Sequence, residues 1–195
     1  MEAPFVVVHC RFFDLIHNYK KTGQLRVKKV EVLYTLIGLT ISIIIFNAIA
    51  LRKSRLTANQ SLHIWIFTIA FQAIFDTIIE FKFHGYWYFS KEIDWRGLLA
   101  HTILLPPVNI MFLSYFPFQN NRGKQFIYIF LWTLGILLYE AVTLLPEPWG
   151  YFHSGWWKLW HSAAVDPILF LLLIGYFNWV LRLENRSKPG KVPGT

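Results

Sequence analysis

Five stretches of about twenty mostly apolar residues, at 32–51, 62–81, 97–118, 126–145 and 160–181, run through a chain of only 195 residues. Each is long enough to cross a hydrocarbon core of ~30 Å as a helix rising ~1.5 Å per residue. Together they make up more than half of the chain, so the bilayer is its solvent. The sequence therefore predicts an all-α fold: a polytopic membrane helical bundle with five transmembrane helices and a short amphipathic N-terminal helix. Composition agrees, since hydrophobic residues reach 55% and charged residues only 15%, which does not suit a soluble domain with a polar surface. Runs such as 41–46, 131–139 and 168–177 are nearly uncharged all the way round, as lipid-facing helices must be.

The net charge of +8 sits in loops and tails, at Lys20, Lys21, Arg26, Lys28 and Lys29, then Arg52, Lys53 and Arg55, then Arg182, Arg186, Lys188 and Lys191. Positive charge beside membrane spans sets orientation and touches anionic headgroups. No zinc spacing, RNA-binding signature or contiguous basic helix points to nucleic acid. The partners expected are the lipid bilayer and other membrane proteins or a second copy in a homo-oligomer. The single cysteine, Cys10, cannot close an internal disulfide. No signal peptide precedes the first span, which is expected to target the chain itself.

Three regions follow. Residues 1–29 form a basic head in which Phe5, Val8, Phe12, Leu15 and Ile16 recur at helical spacing, an amphipathic helix that lies at the interface or packs on the bundle. Residues 30–184 form the transmembrane domain, whose short joints make neighbouring helices antiparallel. Residues 185–195 read as a disordered basic tail. Pro106 and Pro107 fall inside the third span and must kink it, freeing carbonyls of the preceding turn.

The loops at 82–96 and 146–159 share one side of the bundle, and six of the nine tryptophans gather there: Trp87, Trp95, Trp149, Trp156, Trp157 and Trp160. Two readings stand side by side. The rings form an interfacial belt, where an apolar face meets a wet edge, or they form the rim of a site for an amphipathic ligand. The opposite loops and tail carry nine Lys and Arg, against ten on the aromatic side once the head is counted. The expected address is a cell membrane with the N-terminus outside and the C-terminus cytoplasmic.

A carboxylate in hydrocarbon costs ~2.5–3.5 kcal/mol on the lenient insertion scale. Asp76, Glu80, Glu140 and Asp166, with His101 and His161, all lie within about six residues of the aromatic ends of their spans, hence within ~10 Å of one interface. They constitute the candidate intramembrane polar site. Asp76 and Glu80 share a helix face, and Glu80 is near enough to the end to reach water. Asp166 precedes Pro167, so it is either an intramembrane acid or the N-cap of a helix that starts there. The set is glue between helices or the wall of a pocket for a cation, proton or ligand, with Glu140 the first functional choice and Asp76 the second. Ser114, Ser154 and Ser162 lack a nucleophile turn, and no metal motif, phosphate loop or cofactor motif is present, so no catalytic residue, metal or cofactor is expected.

The order of features resembles a family of small five-span membrane proteins common in spore-forming Bacillus-type bacteria, whose biochemical function is unassigned. Asp76 in helix two is followed by the aromatic run Tyr86, Trp87, Tyr88 and Phe89. A proline-bearing third span ends at Phe116 and Pro117. Trp132 and Glu140 share the next helix, and Trp156, Trp157 and Ser162 precede or open the last. The likeness covers roughly residues 45–182, and the long basic head departs from it. It implies a bacterial plasma membrane and the five-span layout, and it lends no reaction or ligand. The function expected is a small binding or structural membrane component. The alternatives are a cation or proton transporter or channel-like protein using intramembrane carboxylates, and a membrane-embedded lipid-modifying enzyme.

Overall fold

The structure, a computed structural model, describes residues 33–34, 36–50, 52–89, 91, 100–146 and 150–187. The amphipathic head, Trp95 and Trp149 lie outside the described residues. Helix α1 spans Leu36–Ala50. Its Thr40 and Ser42 hydroxyls donate to the carbonyls of Leu36 and Gly38, which satisfies each hydroxyl within the apolar helix. Helix α2, Ala58–Asp76, opens with a reciprocal capping box: Thr57 Oγ1 accepts from the Gln60 N–H, and Gln60 Oε1 accepts from the Thr57 N–H. It runs on as a π turn over Thr77–Lys82. A second π turn, Ala100–Leu104, leads into α3, Leu105–Tyr115. Helix α4, Arg122–Thr143, is capped by Asn121, whose Oδ1 accepts from the Lys124 N–H. Helix α5, Leu159–Ser187, passes through Pro167 and carries three residues past the boundary drawn at 184.

Three helices, rather than five, are long and apolar enough among the described residues to cross a membrane: α2 with its π turn (25 residues), α4 (22) and α5 (28). Their outer faces present Leu62, Ile66, Phe126, Leu138, Ile168 and Leu171, which no water-facing surface would tolerate in such density. The chain is a multi-pass membrane protein in contact with lipid. The two remaining stretches form the shorter helices α1 and α3. In the third stretch, counting apolar residues overestimates the helix. The chain reaches α3 through a π turn, and Phe116 leaves the helix with ψ near 128° because Pro117 disfavours helical geometry in the residue before it.

Pro106 and Pro107 open α3, at its first positions, and a carbonyl before them is met from a neighbouring helix. Pro107 has no N–H to give the Ile103 carbonyl; Asn47 Nδ2 of α1 donates to that oxygen at 3.1 Å. The main core joins the middle of α2, α3, α4 and α5 around Ile64, Phe112 and Phe170, with the last two rings stacked at 4.1 Å.

The all-α expectation misses one feature. Strand β1, Tyr86–Tyr88, pairs antiparallel with β2, Phe152–Ser154, in the register Tyr86 to Ser154, Trp87 to His153 and Tyr88 to Phe152. The two aromatic loops are thus one unit. His84 and Phe89 on either side of β1 adopt left-handed φ of 51° and 54°. Gly155 permits the close passage of the strands' ends, since a Cβ there would stand 2.5 Å from the His84 carbonyl oxygen. Its N–H and that of Trp157 both donate to the Gly85 carbonyl.

Candidate functional site

A cavity of about 230 Å³ lies among α2, α3, α4 and α5, with the strand pair forming part of its wall. Most of that wall is apolar and aromatic, from Phe71 and Phe75 of α2 to Leu169 and Leu173 of α5. Polar groups enter at a few points. Antiparallel packing of α4 against α5 brings the end of one, at Glu140, beside the start of the other, at Ser162 and Asp166.

The best-defined polar element is a directed chain. Trp157 Nε1 donates to Ser162 Oγ at 2.9 Å, and Ser162 donates to Glu140 Oε1 at 3.0 Å. Indole is a donor only, and a hydroxyl has one proton, so Glu140 Oε1 must be the acceptor at the end of the chain. Trp157 and Ser162 are both buried. Asp166 faces the same cavity, close enough to Glu140 for the two to act on one another electrostatically. Its Oδ2 is buried and has no hydrogen-bond partner among the described residues. Asp166 is inside α5 and is not its N-cap, because a transmembrane helix tolerates proline where neighbouring groups support the backbone.

Asp76 stands just behind the wall. It is buried at 5% exposure and its Oδ1 accepts from Gln72 Nε2 at 2.9 Å and from the Tyr86 hydroxyl at 2.5 Å. Both donors line the cavity, so the carboxylate orients part of the lining without forming it. Asn109 of α3 donates to Thr68 Oγ1, which in turn donates to the Ile64 carbonyl. The Tyr139 and Tyr151 hydroxyls pair at 3.1 Å. Burial, followed by neighbouring phenols and the Asp76 charge, pushes the phenols of Tyr86 and Tyr88 well above their ordinary range, and burial does the same to Tyr151. These rings stay neutral donors on the cavity side.

The remaining candidates fall elsewhere. Glu80 is buried in the π turn at 8% exposure rather than turned toward water, on the side where Asp76 and Glu80 both act on the phenols of Tyr86 and Tyr88. It lies outside the cavity wall, close enough to act on the Tyr88 phenol. His161 works at the start of α5, where Nδ1 accepts from the Lys158 N–H and the ring stacks on Trp157 and Trp160. His101 has its backbone in the second π turn, and its side chain is outside the described residues. Of the rim candidates, Trp157 lines the cavity. Trp87 stacks on His153 under the Lys91 ammonium. Trp156 and Trp160 are 48% and 65% exposed, Trp156 donating its indole N–H to the Phe83 carbonyl.

Gln72, Asn109 and Tyr139 were not singled out by sequence reasoning. Gln72 lies four residues before Asp76, a spacing that brings two side chains of a helix together and could have flagged it. Among the described residues no three His, Cys, Asp or Glu side chains group closely enough to hold a metal ion. Comparison with protein-family models, curated proteins and solved structures finds no match, so the resemblance to the five-span family has no family match behind it.

Proposed function

We propose that this is a small multi-pass membrane binding protein whose interhelical cavity takes one small, largely apolar ligand. The cavity itself carries the reading. Protein interiors fill to near-crystalline density, and an unfilled space weakens a fold in proportion to its volume. A bundle serving only as scaffold gains by closing such a gap. This one keeps about 230 Å³, lined by aromatic rings with a few convergent polar groups, which is the usual character of a ligand site. An apolar cavity of ~150 Å³ is enough to hold benzene, so the space suits one ring with a short substituent.

The test is thermal unfolding of the purified protein in mild detergent, titrated with 2-phenylethanol. The expected outcome is a midpoint that climbs with ligand concentration by mass action. It should be flat in Val165→Phe, which fills the cavity from α5. A flat response in the wild type would leave the scaffold reading in its place.

A further inference from the structure

We propose that the ligand is an organic cation, a small lipophilic amine or ammonium compound whose nitrogen sits between Glu140 and Asp166. The inference rests on the cavity being a binding site and adds the chemistry that the site selects.

Two carboxylates from adjacent helices face this cavity, and among the described residues no Lys, Arg or His side chain lines it. Much of the hydroxyl donor capacity of the wall is already committed. Ser162 has committed its one proton to Glu140, Tyr86 to Asp76, Thr68 to the Ile64 carbonyl and Thr143 to the Glu140 carbonyl. Asp166 Oδ2 has no partner among the described residues. The Trp157–Ser162 chain, for its part, points its last proton at Glu140 Oε1 and leaves the rest of that carboxyl to a ligand. Paired acids with no protein cation beside them suit a positively charged ligand, repel an anionic one and offer a neutral one no charge attraction.

The rest of the wall decides what kind of cation fits. A bare metal ion seeks about six oxygen ligands at close range; here the surroundings are mostly carbon, and the space is many times an ion's volume. Rings at Phe71, Phe75, Tyr88 and Trp157 present the electron-rich faces that hold ammonium groups, and they also accept an apolar body. An amine attached to a ring meets both demands.

Isothermal titration calorimetry in mild detergent compares three probes of one size: phenethylamine, 2-phenylethanol and 3-phenylpropionate. The amine should bind about tenfold or more tighter than the alcohol, and the carboxylate more weakly than either. Asp166→Asn and Glu140→Gln should each shrink the preference for amine over alcohol. Equal binding of amine and alcohol, with both lost in Val165→Phe, would overturn the cation and leave the cavity reading standing. A preference that survives both carboxylate variants would overturn it too. Stabilisation by sodium or potassium chloride equal to that by the amine hydrochloride would replace the organic cation with an inorganic one. Binding of none of the probes would remove both readings together.

Discussion

Asp166 and Ser162 are one turn apart on α5 and make opposite contributions. Ser162 joins a buried donor to a half-buried acceptor, accepting from Trp157 Nε1 and donating to Glu140. Its loss leaves the buried Trp157 N–H without its acceptor, worth ~1–3 kcal/mol. Asp166 Oδ2 meets no donor among the described residues, so without a ligand it is a cost. Ser162→Ala should therefore lower unfolding stability by ~1–3 kcal/mol, and Asp166→Leu should raise it by a similar amount. Chemical denaturation of both variants in the same detergent checks the pair of signs. A loss with Asp166→Leu would mean that the acid is structural. The sequence singled out Asp166 and Glu140 by their cost in hydrocarbon, and both line the cavity. It also left Asp166 open as a helix cap, since Pro167 reads as a start signal in water, whereas α5 carries that proline in its interior.

The elements show where reading by hydrophobic run length succeeds and where it fails. Apolar stretches locate all five helices, because a span must be apolar throughout and its signal is long. Their ends are harder. The π turns at Thr77–Lys82 and Ala100–Leu104 have no compositional mark. The strands are only three residues each; such runs of Tyr, Trp and Phe read as a belt long before they read as a sheet. The proline pair in the third span was legible as a break in the hydrogen bonding of its helix, and it stands at the start of α3; the donor that meets the Ile103 carbonyl was not legible, since nothing in sequence ties Asn47 to position 103. That contact belongs to the level of elements, because it fastens α1 to the turn before α3. Asn47→Leu should cost ~0.6–2 kcal/mol and should open the α3 turn to solvent, seen as faster amide hydrogen exchange around Ile103 in detergent. Unchanged exchange there would assign the repair to another group.

At the scale of the whole molecule, the three long helices with apolar outer faces make the bilayer part of the fold. One end of the bundle closes with buried phenols, and their protonation links to global stability. Tyr86, Tyr88 and Tyr151 are all pushed up from an ordinary value near 10. The folded state thus holds their protons more tightly than the unfolded chain does. Their stabilisation is complete below pH ~10 and is lost as pH climbs through the folded-state values. Unfolding midpoints should hold level from these groups up to that point and then fall, with a shallower fall in Tyr88→Phe. A fall that is equally steep in that variant would assign the alkaline loss to other groups.

The pairing of Tyr86 with Ser154 also carries a consequence in time. Ribosomes add ~5–20 residues per second, and roughly seventy positions separate the two partners, so β1 waits several seconds for β2 to exist. During that interval α3 and α4 must be made and inserted while the aromatic face of β1 stands without its mate. The strand pair, and then α5, which follows β2 in the chain, are consequently the last parts of the cavity wall to form. A ligand present in the membrane at that moment can enter before the wall is complete, so the protein's occupancy can be decided during its birth as well as by later exchange.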